Sequence, residues 1–181
     1  MANQRNWETI KEYSDIRFEF FEGIAKITFN RPEVYNAFRP ETNIQIIEAM
    51  ETCRERGDIR VVVFTGEGDK AFCSGGDQNV KGTGGYIGED GVPRLNVLDI
   101  HKQIRSLPKP VIAMVNGFAI GGGHVLHVVC DITLAARSAN FVQAFCKIGL
   151  IPDSGGTWTL PRAVGMARAK GLAMLGDKLS A

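Results

Sequence analysis

The sequence predicts an α/β fold in which strands and helices alternate along one domain of 181 residues. Two continuous apolar runs, at residues 60–65 and 111–115, are typical of strands buried on both faces of a sheet. Residues 40–56 have helical periodicity instead. A glycine-rich loop follows each apolar run, so strand, loop and helix repeat along the chain.

The chain begins with elements that are easy to predict. Apolar side chains alternate from Ile16 to Phe20, which indicates a half-buried strand. A turn at Glu22-Gly23 leads to a second strand over residues 24–29. We expect residues 1–14 to form an N-terminal extension and residues 15–181 to form the core domain.

The remaining elements repeat the order of strand, glycine-rich loop and helix. Each glycine-rich loop is expected to leave the carboxyl end of a buried strand, which is where α/β folds bind ligands. The predicted order is a glycine-rich connection over residues 66–91, a helix over 95–107, a strand over 111–115, a glycine-rich turn over 116–123, a helix over 124–130, a third buried strand over 131–136 and a helical end over 163–175.

The composition excludes several classes of protein. Lysine plus arginine number 21 and aspartate plus glutamate 20, so a net charge of +1 provides no basic surface for a nucleic acid. The polar start is unlike a secretory signal, and the apolar stretches are too short to cross a membrane. The four cysteines include no CxxC pair, which favours free thiols and a cytoplasmic location.

The two glycine-rich loops are the first candidates for chemistry. Ser74, Gly75, Gly76 and Asp77 follow one strand, and a run of three glycines at residues 121–123 follows the next. Backbone N–H groups that converge from two such loops can form an oxyanion hole. The alternative is that these glycines only permit tight turns.

Three side chains raise further hypotheses. Asp153 lies between apolar flanks, which can raise the pKa of a carboxyl group and make it a base, although it could instead cap the helix from Gly155 onward. Tyr86 lies in a glycine-rich loop and could donate to a developing charge. His124 and His127 are three apart on a predicted helix, but without a third ligand nearby we expect packed histidines and no metal.

The runs AFCSGGDQ and GFAIGGGHVLHVVCD resemble the crotonase (enoyl-CoA hydratase/isomerase) superfamily. The runs ITFNRPEVYNAF, FTGEGD and KPVIAMVNG extend the resemblance from about Asp15 over nearly the whole chain. It implies a crotonase-like spiral of ββα repeats that binds an acyl-CoA thioester as substrate, with no tightly bound cofactor. Relatives form homotrimers or hexamers and continue into further C-terminal helices, so the resemblance implies that the C-terminal helical part is truncated.

Residues 1–136 are most similar to the 1,4-dihydroxy-2-naphthoyl-CoA synthase branch, through SGGDQ, Gly84-Gly85-Tyr86 and the run RLNVLD that starts at Arg94. The resemblance implies that Gly76 and Gly122 are the oxyanion donors and that Tyr86 is catalytic. It also implies that the following residues bind substrate: Ser74, Gly75, Asp77, Gln78, Lys81, Phe118, Ala119, Ile120 and Gly121.

Residues 140–181 are more similar to the enoyl-CoA isomerase branch, through FVQAFCKIGLIPDSGGTWTLPR. In that branch an aspartate at the position of Asp153 moves a proton. Gln143 matches a substrate-site residue that helps to bind bicarbonate in the synthase branch, but Phe145 replaces the glycine of that site. The two glutamates of hydratases would fall at Val125 and Phe145, so hydration is disfavoured.

Three functions follow from the resemblance. The first is 1,4-dihydroxy-2-naphthoyl-CoA synthase, a lyase of menaquinone biosynthesis that closes a ring in o-succinylbenzoyl-CoA. The second is an enoyl-CoA isomerase with Asp153 as its base. The third is an inactive fragment or scaffold that binds acyl-CoA.

Overall fold

The computed structural model describes residues 6–82, 85–87, 91–92 and 95–181. Gly84 and Arg94, which belong to the motifs quoted above, lie outside these residues. The described strands are β1 (Glu8–Glu12), β2 (Ile16–Phe21), β3 (Ile24–Phe29), β4 (Val61–Gly66), β5 (Ala71–Cys73), β6 (Val111–Val115), β7 (Phe118–Ile120), β8 (Ile132–Ala135), β9 (Asn140–Val142) and β10 (Leu179–Ser180). The described α-helices are α1 (Pro40–Glu55), α2 (Val97–Ser106), α3 (Gly122–Val129), α4 (Gly156–Val164) and α5 (Met166–Leu175).

The strands form two sheets, and the chain visits them in turn. The larger sheet has the order β1-β2-β3-β4-β6-β8, and the smaller has the order β10-β9-β7-β5. From β4 onward, each strand of the larger sheet is followed by a short strand of the smaller sheet, as in β4-β5-α2 and β6-β7-α3. This alternation is the expected spiral of ββα repeats, and the α/β prediction is confirmed.

The hydrophobic core lies on one face of the larger sheet, against α1, α2 and α3. Val62 and Phe64 of β4 are fully buried there with Ile46 and Met50 of α1. Side chains alternate across a strand, so the neighbours of Val62 and Phe64 point to the opposite face. The expectation of strands buried on both faces is therefore wrong, because Met114 of β6 on that opposite face is 42% exposed.

Strand β8 departs furthest from the prediction. All four of its residues are exposed, including Ile132 and Leu134, although residues 131–136 were predicted to form a buried strand. The cause is its place at the edge of the larger sheet, where it pairs only with β6. The apolar run correctly predicted a strand, but the prediction that this strand is buried is wrong.

The remaining differences concern short elements. Strands β5, β7 and β9 have three residues each; β5 and β7 lie in segments that were predicted as glycine-rich loops, and β9 lies in a segment for which no element was predicted. Residues 8–12, placed in the N-terminal extension above, form β1 and pair with β2. The helical end is two helices, α4 and α5, because Gly165 between them has a φ of +83°. Within the described residues, no helix is both long and apolar enough to cross a membrane.

Candidate active site

The two glycine-rich loops start from neighbouring strands of the smaller sheet. One follows β5 and the other joins β7 to α3, whereas the sequence placed both directly after strands of the larger sheet. β5 and β7 are parallel neighbours, so their carboxyl ends lie side by side. This pairing brings the loop of Gly76 next to the loop of Gly122.

The backbones of the two loops touch. A Cβ added to Gly75, which has a φ of +88°, would lie 3.0 Å from the carbonyl oxygen of Ile120 and 3.2 Å from the nitrogen of Gly122. A Cβ on Gly122 would lie 2.6 Å from Cζ of Phe38. The positive φ and this close approach favour glycine at residue 75, and a side chain at residue 122 would have to displace the Phe38 ring.

The amides of Gly76 and Gly122 have no acceptor among the described residues. Neither amide donates a hydrogen bond in the described part of the chain, although the neighbouring Asp77 amide donates to the Phe38 carbonyl at 2.9 Å and the Gly121 amide to the Val142 carbonyl at 2.9 Å. Gly122 is the first residue of α3, where an N–H has no acceptor within the helix and the helix dipole favours negative charge. Two free donors thus lie at one edge of the smaller sheet.

A buried ion pair anchors the loop of Gly76. The Arg31 guanidinium donates to Oδ2 of Asp77 at 2.8 Å, and the side chain of Asp77 is 3% exposed. The Phe38 amide donates to the Gly75 carbonyl at 2.9 Å. The loop is therefore fixed on both sides of Gly76.

The Tyr86 hydroxyl lies beside Gly76, where a Cβ at that glycine would collide with it. Nε2 of Gln78 donates to the Tyr86 oxygen at 3.1 Å and to the Gly76 carbonyl at 2.9 Å. Burial and the negative charge of Asp77 raise the pKa of the Tyr86 phenol, and Asp153 raises it further, while the Gln78 hydrogen bond acts in the opposite direction. The phenol is therefore protonated at neutral pH and can donate.

Asp153 approaches the same space from the turn before α4. Its carboxylate accepts a hydrogen bond from the Ser154 hydroxyl at 2.7 Å. The apolar surroundings expected from its flanks are wrong, because Ile151 is 82% exposed and Asp153 itself is exposed. The alternative role as a helix cap is also wrong, since α4 has Gly155 at its N-cap and no side-chain cap.

A cavity of about 260 Å³ unites these groups. Ten of the residues singled out from the sequence line it: Ser74, Gly75, Gly76, Gln78, Lys81, Tyr86, Ile120, Gly121, Gly122 and Asp153. Other lining residues were not predicted to bind substrate, namely Phe38, Leu95, Ala144, Phe145, Ile148, Leu150 and Ser154. Free N–H donors, a phenol and a carboxylate in one cavity can hold an oxyanion and move a proton.

Four of the residues singled out lie outside the lining of this cavity. Asp77 forms the buried ion pair with Arg31, and Phe118 and Ala119 belong to β7. Gln143 lines a second cavity of about 180 Å³ with Pro152, Gly156 and Leu160 among others.

The surroundings of Gln143 bear on whether bicarbonate could bind in the large cavity. The side-chain amide of Gln143 is buried, and neither polar atom has a hydrogen-bond partner in the part of the chain that the structure describes. It belongs to a different cavity from Tyr86 and Asp153, and Phe145 packs against Gly121, 3.8 Å from a Cβ placed there. The residues present do not fit bicarbonate as a base beside the oxyanion donors.

The two histidines of α3 contact each other. Nε2 of His127 lies 2.9 Å from Nδ1 of His124, and Nδ1 of His127 lies 3.1 Å from the Thr133 hydroxyl. Both rings pack against Phe141. The two rings are thus packed as expected, and the described residues contain no group of three potential metal ligands.

Comparison with known proteins places these features in a family. A family model described as enoyl-CoA hydratase/isomerase matches residues 19–181. An enoyl-CoA hydratase from Bacillus anthracis is 33% identical with a TM-score of 0.85, over 93% of this chain and 65% of that chain. One from Polaromonas sp. JS666 is 36% identical with a TM-score of 0.81, over 92% of this chain and 65% of that chain. The chain therefore spans about two thirds of the length of these relatives.

Proposed function

This chain belongs to the enoyl-CoA hydratase/isomerase family, and we propose that it converts an acyl-CoA thioester through an enolate. The amides of Gly76 and Gly122 hold the thioester oxygen as negative charge develops on it. The observation that carries this proposal is the pair of free N–H groups from touching loops. Losing one such donor typically costs about 2.7–4 kcal/mol in the transition state.

We propose o-succinylbenzoyl-CoA as the substrate and 1,4-dihydroxy-2-naphthoyl-CoA as the product. Asp153 removes a proton from the carbon next to the thioester, and the enolate carbon attacks the carboxyl carbon of the same molecule. One carbon–carbon bond forms, the carboxyl carbon loses its hydroxyl as water, and the new ring becomes aromatic by shifting protons. Tyr86 supports this choice, because its phenol lies beside Gly76 and donates to the attacked carboxyl group.

A second candidate is the shift of a double bond in an enoyl-CoA. Asp153 is the one carboxylate among the described residues that line the cavity, and among those residues its side chain is hydrogen-bonded to the Ser154 hydroxyl alone. A single carboxylate can take a proton from one carbon and return it to another. Hydration is less well supported, because Val125 is fully buried and Phe145 presents an aromatic ring where hydratases carry glutamates.

Incubation with each CoA ester distinguishes these reactions. The protein is mixed separately with o-succinylbenzoyl-CoA and with a 3-enoyl-CoA, and products are separated by liquid chromatography, which resolves the enoyl isomers, before mass spectrometry. We expect loss of one water from o-succinylbenzoyl-CoA. An isomerised enoyl-CoA with no naphthoyl product would favour the second candidate instead.

Calorimetry and isotope exchange test the enolate itself. Acyl-CoA in D₂O should gain deuterium at the carbon next to the thioester, and Gly122→Val should abolish this gain because a larger side chain collides with Phe38. Binding by calorimetry without deuterium uptake or turnover would reject the enolate and leave a scaffold that binds acyl-CoA.

A further inference from the structure

The side-chain amide of Gln78 connects the loop of Gly76 to the Tyr86 phenol. Nε2 of Gln78 lies 2.9 Å from the Gly76 carbonyl oxygen and 3.1 Å from the Tyr86 oxygen. A carbonyl oxygen can only accept, so the Gln78 atom beside it is the NH2 nitrogen and not the amide oxygen. An NH2 group has two hydrogens, so it can donate to both oxygens at once.

The peptide between Gly76 and Asp77 is held in one orientation. The Asp77 amide donates to the Phe38 carbonyl at 2.9 Å, and the Asp77 side chain pairs with Arg31. Because the N–H and C=O of a trans peptide point in opposite directions, the Gly76 carbonyl faces away from Phe38 and towards the Gln78 amide. The buried part of the loop thus determines where the Gln78 amide lies.

The backbone of Gln78 is fixed as well, whereas its side chain is exposed. The amides of Val80 and Lys81 donate to the Asp77 carbonyl at 3.3 Å and 3.2 Å, which closes a turn around residue 78. The side chain of Gln78 belongs to the surface and not to the core. Replacing it therefore removes two hydrogen bonds without leaving a cavity in the core.

These contacts determine which way the Tyr86 hydroxyl points. Among the described residues, the hydrogen bond from Gln78 is the only one that involves this hydroxyl. The Gln78 nitrogen donates and cannot accept, so the phenolic proton turns away from it. The Tyr86 oxygen lies beside Gly76 and lines the large cavity, so the proton is available to a group bound there.

We propose that Gln78 is a positioning residue, which donates to the Tyr86 oxygen and so turns the phenolic proton into the cavity beside Gly76. This role differs from the substrate binding that the resemblance implies, since both N–H groups of the Gln78 amide are used within the protein. Its effect on turnover rests on the proposed function, in which Tyr86 donates to the carboxyl group under attack. Its effect on the phenol does not, because both hydrogen bonds exist without substrate.

Three variants separate the direction of this hydrogen bond from shape and charge. Gln78→Leu removes the donor. Gln78→Glu keeps the shape of the side chain but offers a carboxylate, which accepts the phenolic proton and turns it away from the cavity. Asn79→Asp adds the same charge at the next residue, which is exposed and absent from the described lining of the cavity, so it is a matched control.

Fluorine NMR of the full chain tests the effect on the phenol. The protein is labelled with 3-fluorotyrosine, which ionises at lower pH than tyrosine, and Tyr86→Phe assigns one of the three tyrosine signals. Burial raises the pKa of Tyr86 and the hydrogen bond from Gln78 lowers it. The signal should therefore titrate at higher pH in Gln78→Leu and at the highest pH in Gln78→Glu, with Asn79→Asp closest to wild type. Titration of Gln78→Leu and wild type at the same pH would overturn the proposal.

Ring closure of o-succinylbenzoyl-CoA then tests the effect on the reaction. Gln78→Glu should lower kcat about a hundredfold, as far as Tyr86→Phe, which is the factor typical of one lost donor to a developing charge. Gln78→Leu should lower kcat about fivefold, the factor for one lost hydrogen bond. In the Tyr86→Phe protein, neither change at residue 78 should lower kcat further, because the action passes through the hydroxyl.

Failure of the proposed function and failure of the positioning role give different results. A wild-type protein that does not convert o-succinylbenzoyl-CoA, but whose variants titrate in the expected order, would sustain the positioning role and reject the proposed function. An active wild type with the same kcat as Gln78→Glu would reject the positioning role. Additive losses in Gln78→Glu and Tyr86→Phe would also reject it, since Gln78 would then act independently of the phenol.

Discussion

The two sides of the large cavity are built differently. The glycine side, residues 74–78 and 121–123, consists of backbone in direct contact and is anchored by the buried pair of Arg31 and Asp77. The aspartate side, residues 144–156, has Ile148 56% exposed and Ile151 82% exposed. Preorganised backbone can hold an oxyanion in any thioester reaction, whereas the exposed side chains of residues 144–156 can change without disturbing the core, to which the buried Phe145 belongs.

The largest expected effect is a loss of activity from a change on the aspartate side, with the free energy of unfolding unchanged. Asp153→Asn should lower deuterium uptake by acyl-CoA about a thousandfold, because an amide is a poor base. Asp58→Asn is a matched control, since Asp58 is exposed and pairs only with Arg56 in the salt bridges described. Equal rates in Asp153→Asn and wild type would remove Asp153 from the mechanism.

On the glycine side, the ion pair of Arg31 and Asp77 should stabilise the folded protein. Arg31→Met leaves the Asp77 carboxylate buried without its cation, which should lower the free energy of unfolding by about 3 kcal/mol. Lys102→Met breaks a pair whose side chains are 77% and 53% exposed, and it should cost below about 0.5 kcal/mol. Urea denaturation of both variants measures the difference, and equal midpoints would refute it.

A smaller effect on the free energy of unfolding, of opposite sign, is expected when two different glycines are replaced by alanine. A Cβ at Gly123 would collide with the main chain of Cys73, so Gly123→Ala should cost about 2 kcal/mol. Gly171 of α5 has nothing within 4 Å of a Cβ, so Gly171→Ala should stabilise by about 0.5–1 kcal/mol. Thermal unfolding checks both signs, and a stable Gly123→Ala would show that the glycine side is less tightly packed than described.

The smallest expected effect is on how the stability of the protein depends on pH. Burial lowers the pKa of His124 behind the glycine side to about 4 from an ordinary 6.5. The unfolded chain therefore binds more protons between these values, and stability falls as the pH drops from 6.5 towards 4. We expect about 1 kcal/mol of this loss at pH 5.5 to disappear in His124→Gln, measured by urea denaturation at pH 7.5 and 5.5. Parallel losses in both proteins would assign the acid sensitivity to other groups.

The sequence predicted the long elements and the membership of the superfamily. Periodicity identified α1, α2, β2, β3, β4 and β6, because each has five or more residues and packs on a single core. It missed β5 and β7, because three residues beside glycines have too little pattern to distinguish them from a loop. The exposure of β8 depends on its place at the sheet edge, which no local pattern encodes.

Within the site, the glycine side was easier to predict than the aspartate side. Glycines that permit contact between backbones leave a motif, whereas the exposure of Asp153 follows from the path of residues 144–156. The assignments to the synthase and isomerase branches remain predictions.

Strands β5, β7 and β9 are successive parallel neighbours, each from a later turn of the spiral. The segments that follow them therefore lie side by side at one edge of the sheet. The third of these segments contributes Phe145 to the same cavity as Gly76 and Gly122. The segment after β9 can therefore change towards new substrates while the segments after β5 and β7 still bind a carbonyl oxygen.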